Sequence, residues 1–253
     1  MTNKPVPPEQ DDDTIVELSL YALKDMLLVG GIDQQMLEPH EVQEQNLKIR
    51  LAHTGERVGS ASLLVQKMYR NIGYDVPDMQ KLQDRITLIA SQNNAVVGTL
   101  TLGLDADNGL LADQNYKPEI DRLREKGHKV CELTKFAVDQ VRGSKRVLAA
   151  LFHIAYIYGR VLQKQTNVVI EVTPKHASFY KRLLGFEQIG SERLNSRVNT
   201  IGVLLWLDID YVERQIELWG GKTEGAKGER SLYPYFFSKQ DEVGITHRLQ
   251  RCE

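Results

Sequence analysis

Cysteine is scarce in this chain. Cys131 and Cys252 are the only two in 253 residues, and they lie far apart. They outline neither a disulfide scaffold nor a metal cluster, and such usage fits a reducing compartment. Long apolar runs are missing: none approaches the ~20 residues a membrane-spanning helix needs. The start, Met-Thr-Asn-Lys-Pro followed by Asp11-Asp12-Asp13, is unlike a secretory signal, so a cytoplasmic location is expected. An excess of one charge is lacking too. With 32 Lys and Arg against 34 Asp and Glu, the net charge of −2 gives no global pull toward nucleic acid. Any phosphate site must therefore be local. No internal repeat is evident. What is present, 42% hydrophobic and 26% charged residues, is enough to bury a sizeable core in one α/β domain with appendages.

Three regions are expected. Residues 1–46 read as a disordered start and an N-terminal helix, 47–210 as the central domain, and 211–253 as a C-terminal helix with a tail. Residues 1–13 carry three prolines and three aspartates and are expected to lack fixed structure. Thr14 can cap a helix to about Val29, whose Ile15, Leu18, Tyr21, Ala22 and Met26 recur at helical spacing before Gly30-Gly31 ends it. Its apolar face would pack on its own domain or meet a second copy or a carrier protein. A polar connection over Glu38–Gln45 leads to a strand, Leu47–Ala52, and a helix, Glu56–Asn71, broken by Gly73-Tyr74-Asp75-Val76-Pro77. Ile86–Ala90 and Val96–Leu104 flank Gln92-Asn93-Asn94 as a hairpin. Asp105–Gly109 fails the calcium-loop pattern, its glycine being one position early and the twelfth-place glutamate missing. Glu119–Lys126 reads as a short charged helix. The tail carries an aromatic cluster, Leu232–Phe237, expected to pack on the domain or a twin subunit, after a flexible stretch over Gly220–Arg230.

The organising stretch is Lys129–Gly190: a strand (Val130–Val138), a basic turn (Arg142–Arg146), a long apolar helix (Val147–Gln163), a buried strand (Val168–Val172), and a helix from Pro174 closed by Leu184-Gly185-Phe186. Arg142, Lys145 and Arg146, with Gly143 and Ser144 between them, place cations at a helix start, where they oppose the dipole unless an anion binds there. Strict alternation puts Glu132, Thr134 and Phe136 on one face of the strand, with Cys131, Leu133 and Lys135 on the other. A carboxylate in such a strand must be partnered, and its pKa can rise into a general base's working range. A structural ion pair with a nearby arginine or lysine is the alternative. Tyr180 could protonate a leaving thiolate or simply pack in the core, and His176 is titratable in the first turn of its helix.

These residues carry a resemblance. The order of elements from Leu47 to Leu207 resembles the GNAT acyltransferase fold, a twisted, mostly antiparallel mixed sheet flanked by helices. Glu132-Leu133-Thr134-Lys135-Phe136-Ala137-Val138 is similar to the Glu-Leu-Ser-Arg-Phe-Ala-Val signature of acyl-homoserine-lactone synthases. Val172-Thr173-Pro174-Lys175-His176-Ala177-Ser178-Phe179-Tyr180, with Leu184-Gly185-Phe186, looks most like the long-chain N-acyl amino acid synthases of the FeeM type, as do Arg57, Tyr69 and Gly73-Tyr74. The usual GNAT phosphate loop departs here, because Arg142–Val147 lacks its second glycine. Lys135 stands where the lactone synthases have arginine, turning a bidentate grip into a point charge.

The resemblance implies an N-acyltransferase with no permanently bound cofactor and no metal. Its co-substrate would be acyl-phosphopantetheine on acyl carrier protein, or acyl-CoA, and its acceptor an amino acid. Glu132 and Tyr180 would be catalytic. Thr134, Phe136, Ala137 and Val138 would meet the acyl thioester, and Arg142, Gly143, Ser144, Lys145 and Arg146 would hold phosphopantetheine and carrier. Arg57, Lys135 and His176 are candidates for the acceptor. The rival readings are a homoserine-lactone synthase, an acetyl-CoA-dependent N-acetyltransferase, and a non-catalytic acyl- or carrier-binding protein.

Overall fold

The computed structural model describes residues 13–20, 45–52, 55–71, 85–139, 144–223 and 228–252. Residues 1–12, the proposed helix beyond Leu20 with Gly30-Gly31, the connection over 38–44, the break at 73–77, and Arg142 with Gly143 lie outside them, as do 224–227 of the glycine-rich stretch.

Among the described residues one nine-stranded sheet forms the centre. Its strands are β1 (Thr14–Leu20), β2 (Gln45–Leu51), β3 (Arg85–Gln92), β4 (Ala95–Leu104), β5 (Val130–Val138), β6 (Asn167–Val172), β7 (Glu187–Gln188), β8 (Arg193–Asn195) and β9 (Thr200–Asp208). They run β1-β2-β3-β4-β5-β6-β9-β7, with β8 paired to β9. Every described pairing is antiparallel except β5 with β6. Among the described residues six α-helices flank it: α1 (Gly55–Asn71), α2 (Asp113–Glu125), α3 (Lys145–Tyr156), α4 (Pro174–Leu184), α5 (Ile209–Trp219) and α6 (Lys239–Cys252). This is the GNAT-like arrangement expected.

The interior strands are buried on both faces. In β9, Val203, Leu205 and Leu207 pack toward α3 to α6, while Leu204 packs toward α2. In β6, Val168 and Ile170 take the first side and Val169 the second. Two-sided burial is why these segments read as continuous apolar runs. Each such fully buried side chain stabilises the fold by roughly 1.5–3 kcal/mol. Ala137 meets Leu64 and Val65 of α1, which covers the same face as α2.

Several expectations change in detail. Thr14–Leu20 is a strand, not the start of a helix. Ile15 and Val16 are both buried, across an irregularity in the pairing with β2. Its short apolar set suits a period of two as well as one of 3.6, and the edge of β2 decides between them. Helix α2 begins six residues earlier than Glu119, with a kink at Tyr116 (φ −129°, ψ 25°) two residues before Pro118, whose ring removes a backbone donor. The long helix after the basic turn is α-helical only to Tyr156 and continues as a π-helix over Ile157–Leu162. Helix α6 carries only Ile245 and Leu249 as fully buried apolar residues, with Val243 exposed, a stripe too thin to read from sequence. The expected hairpin is present. Its Asn93 and Asn94 adopt φ of 50° and 61°, the left-handed pair of a tight two-residue turn.

The aromatic cluster packs on the domain. Tyr233 and Phe236 are buried, and the Tyr233 hydroxyl donates to the Leu184 carbonyl at 2.6 Å. His153 of α3 is buried between Phe236 and Phe237, and its Nδ1 accepts the Phe237 N–H at 2.9 Å. Gly185, at φ +83°, ends α4 with its N–H on the Lys181 carbonyl. A β-carbon there would lie 2.5 Å from the Tyr211 ring. Gly185→Ala should therefore lower stability by about 1–3 kcal/mol, read as a reduced urea midpoint at unchanged m-value.

Candidate active site

Strands β5 and β6 part company early. They share three residue pairs, Val130 with Asn167, Cys131 with Val168, and Glu132 with Val169, and beyond these the parallel ladder stops. A cavity of about 210 Å³ opens where they separate. Its walls come from β5 (Glu132 to Phe136), β6 and the turn after it (Glu171, Val172, Thr173), Tyr69 of α1, His176 of α4, and the β8–β9 region (Asn195, Arg197, Val198, Thr200 to Gly202).

A bulge in β5 decides which side chains face which way. Thr134 pairs with Thr101 and Ala137 with Thr99, so Lys135 and Phe136 together stand opposite one residue of β4. Lys135 takes the left-handed conformation (φ 50°) that such an insertion needs. Strict alternation fails here: Phe136 joins Cys131 and Leu133 on the α3 face, with its ring 5.0 Å from that of Phe152. Glu132 keeps the opposite face, beneath the loop before α2.

The Glu132 carboxylate is almost wholly buried (1% exposed). Its two oxygens accept the backbone N–H groups of Leu111 at 2.8 Å and Ala112 at 3.0 Å. Arg85 approaches to 3.8 Å, too far for a hydrogen bond, and its Nη1 is buried without a hydrogen-bond partner. Burial pushes the carboxyl up to about 7, against the downward pull of Arg85, the two N–H donors and Arg197. The group is thus held by its neighbours at the wall of the cavity.

Beyond it lies a second carboxylate that the sequence reading passed over. Glu171 accepts Asn115 Nδ2 at 2.9 Å, Asn195 Nδ2 at 2.7 Å and Arg197 Nη2 at 3.0 Å. Gly202 makes room for it, since a β-carbon there would stand 2.8 Å from Glu171 Oε1. The argument that singled out Glu132, a carboxylate in an apolar strand, applies equally to Glu171 in Asn167–Val172. Arg197 sits in a turn and carries no such signal.

The other expected residues divide. Thr134, Lys135, Phe136 and His176 line the cavity. His176 Nδ1 lies 3.0 Å from Thr173 Oγ1, and partial burial and then Lys175 depress its pKa. Ala137 and Val138 are not among the lining residues; Ala137 packs on α1 instead. Tyr180 is buried in an aromatic group with Phe136, Phe152, Phe179 and Phe186, and is likewise not among the lining residues. That is its core-packing alternative. Arg57 is paired with Asp13 near the β1–β2 edge and is not among the residues lining this cavity. Ser144 caps α3, its hydroxyl accepting the Val147 N–H at 3.2 Å. Lys145 lies over the Tyr235 ring at 5.5 Å, and Arg146 is exposed. The Cys131 thiol is fully buried and pushed up to about 12 by that burial, as suits an apolar filler. A smaller space of about 50 Å³, nearly all apolar, lies between the sheet and α3 with its π-helical extension, and Leu133 borders both spaces.

Among the described residues no His, Cys, Asp and Glu side chains cluster to hold a metal. Asp105 of the rejected calcium loop is instead bound by Arg124, which also holds Asp113 and Asp121. No described helix is long and apolar enough to cross a membrane.

The family model described as "N-acyl amino acid synthase FeeM" matches residues 60–208. The chain belongs to that family. The match runs from within α1 to the end of β9 and contains every residue lining the larger cavity. Among solved structures, the chain is similar to FeeM, an N-acyl amino acid synthase from uncultured soil microbes, at 25% identity and a TM-score of 0.61, over 66% of this chain and 92% of that one. It also matches an acyl-CoA N-acyltransferase from Pseudomonas aeruginosa at 14% identity and a TM-score of 0.45, over 63% of this chain and 98% of that one. The acyl-homoserine-lactone synthase LasI matches at 14% and 0.44, over 64% and 90%. No curated protein matches the sequence. As a member of the N-acyl amino acid synthase family, the protein is an acyltransferase. Strands β1 and β2 and helices α5 and α6 lie outside the matched segment.

Proposed function

We propose that the protein transfers a long acyl chain from the thioester of acyl carrier protein to the α-amine of an amino acid. The observation that carries this reading is Glu132: a carboxyl raised to about 7, walling a cavity at the point where β5 and β6 separate. The acceptor enters as an ammonium and cannot attack until it loses a proton. Glu132, ionised, takes that proton directly or through one water. The amine nitrogen then bonds to the thioester carbonyl carbon. Backbone N–H groups of β5 after Glu132, where the ladder with β6 has ended and the strand lines the cavity, stabilise the oxyanion. Collapse breaks the carbon–sulfur bond. The thiolate leaves as a competent leaving group of pKa about 8.5 and takes up, through water, the second proton that the attacking nitrogen sheds as the amide forms, so the buried Tyr180 is not needed as an acid. The distal carbons of the chain run past Leu133 and Phe136 toward the apolar space beside α3.

The carrier docks at the start of α3. Lys145 and Arg146, with Arg142 three residues earlier in the sequence, attract the phosphopantetheine phosphate and the acidic carrier surface. Reversing one exposed charge tests this. Arg146→Glu should raise the apparent KM for acyl carrier protein about 5–10-fold at low ionic strength, with the difference shrinking as salt is added. An unchanged KM would remove the docking role. The reaction itself is tested by mass spectrometry of lipids from cells expressing the protein, beside an empty vector and the Glu132→Gln variant. N-acyl amino acids in the first sample alone are expected. A homoserine lactone, or acetylated amines without long chains, would overturn the reading.

A further inference from the structure

Arg197 stands out among the charged groups on the cavity wall. Its guanidinium donates one hydrogen bond, from Nη2 to Glu171 Oε2 at 3.0 Å. Its Nε is buried with no partner, and the Thr134 hydroxyl on the same wall is also buried without one. A buried donor left without an acceptor is costly, and each such case asks what it is kept for. The guanidinium is also held from behind. Glu171 is fixed by Asn115 and Asn195, and Asn195 Oδ1 accepts the Arg197 backbone N–H at 2.9 Å. Side chain and backbone of Arg197 are therefore both anchored to the Glu171–Asn195 pair, which suits a fork that must be in place before its ligand arrives. The arginine charge is close enough to Glu132 to count among the influences that lower its pKa, so the two groups serve one small space.

We infer that Arg197 binds the α-carboxylate of the acceptor while Glu132 takes the proton from its α-amine, with Thr134 completing the carboxylate's hydrogen bonds. This rests on the reading of the protein as an amino acid acyltransferase and adds to it that a free carboxylate is required. The planar fork with unpaired N–H groups matches two carboxylate oxygens in a way that a point charge such as Lys135 does not. Glu171 is the positioning residue: its charge offsets that of Arg197 while the site is empty, and its three donors keep it from turning toward the acceptor's ammonium.

The test compares the amino acid that the enzyme acylates fastest with the primary amide of that same amino acid. Dodecanoyl-acyl carrier protein serves as donor, or dodecanoyl-CoA if that is the thioester consumed. The wild type should prefer the acid over the amide by about 100-fold or more in kcat/KM, as expected for a hydrogen-bonding charged site deprived of its partner. In Arg197→Ala that preference should collapse to a few-fold through a raised KM for the acid, the two substrates being compared within the same variant. Because Arg197→Ala leaves Glu171 unpaired and can unfold the turn, Arg197→Lys is measured in parallel. It keeps the ion pair but loses the fork, and the preference should fall about 10-fold. A wild-type preference for the acid that survives in Arg197→Lys overturns the assignment, as does a wild type that accepts acid and amide equally. A wild type that acylates no amino acid at all defeats the underlying reading instead, so the two failures are distinguishable.

Discussion

Glu132→Gln is expected to lower kcat by about 10²–10⁴-fold, the range a positioned general base contributes. The wild-type kcat/KM should rise with pH and level off above an inflection near 7, the value to which burial raises this carboxyl. The base works only when unprotonated, so activity is gained as pH increases. In the variant that inflection should vanish, leaving only the slow rise due to the acceptor's own amine. Full activity with an unchanged profile in Glu132→Gln would end the base assignment. Stability carries an independent signature of the same group. The carboxyl binds its proton more tightly folded than unfolded. Its contribution is therefore complete below about 4.5 and is lost as pH rises through about 7. The glutamine variant should lack that slope. It should also be less stable than the wild type at low pH, because an amide NH₂ would face one of the N–H groups of Leu111 or Ala112 that the carboxylate now satisfies.

The second large effect concerns the tail. Tyr233→Ala should cost about 3–5 kcal/mol, the usual range for emptying a large aromatic site in a core. At roughly 2–4 °C per kcal/mol for a domain of this size, a thermal melt should shift down by more than 6 °C. Tyr233 is 1% exposed, packs against Tyr211 and Phe236, and bonds the carbonyl that ends α4. Removing it also loosens the wall of the apolar space beside α3, which it lines with Phe236. A shift of one or two degrees would mean that the segment after α5 contributes little to the core. Tyr233→Phe isolates the hydrogen bond and should cost only about 1 kcal/mol.

Much of the central fold was legible because period and punctuation agreed there. Apolar runs marked β6 and β9, Asn93-Asn94 marked the hairpin, and Pro174 and Gly185 bracketed α4 from its first position to its cap. The misreadings have physical causes. Thr14–Leu20 carries too few apolar residues to separate a period of two from 3.6, and the strand it pairs with is distant in sequence. The bulge at Lys135 leaves no trace in composition because lysine is an unusual choice for the left-handed conformation, so Phe136 was placed on the wrong face. At the site, Glu132 was found by the cost of burying a carboxylate. Glu171 satisfied the same rule and was missed. Arg197 and Asn195 gained their positions only through the β8–β9 turn, which no local pattern announces. Arg57 was suggested by resemblance and Tyr180 by its place in α4; the fold gives the first an ion pair and the second a packing role.

The left-handed residue at 135 turns the ribbon over part-way along β5, so a single nine-residue stretch presents a buried carboxyl group and an aromatic ring on opposite sides. Substitutions at 133 or 136 can reshape the apolar lining while position 132 stays as it is. Adding or deleting one residue between 132 and 135 would bring the carboxylate and the phenylalanine onto one side of the strand, leaving one of them on the wrong face. The stretch is free to drift in chemistry but not in length.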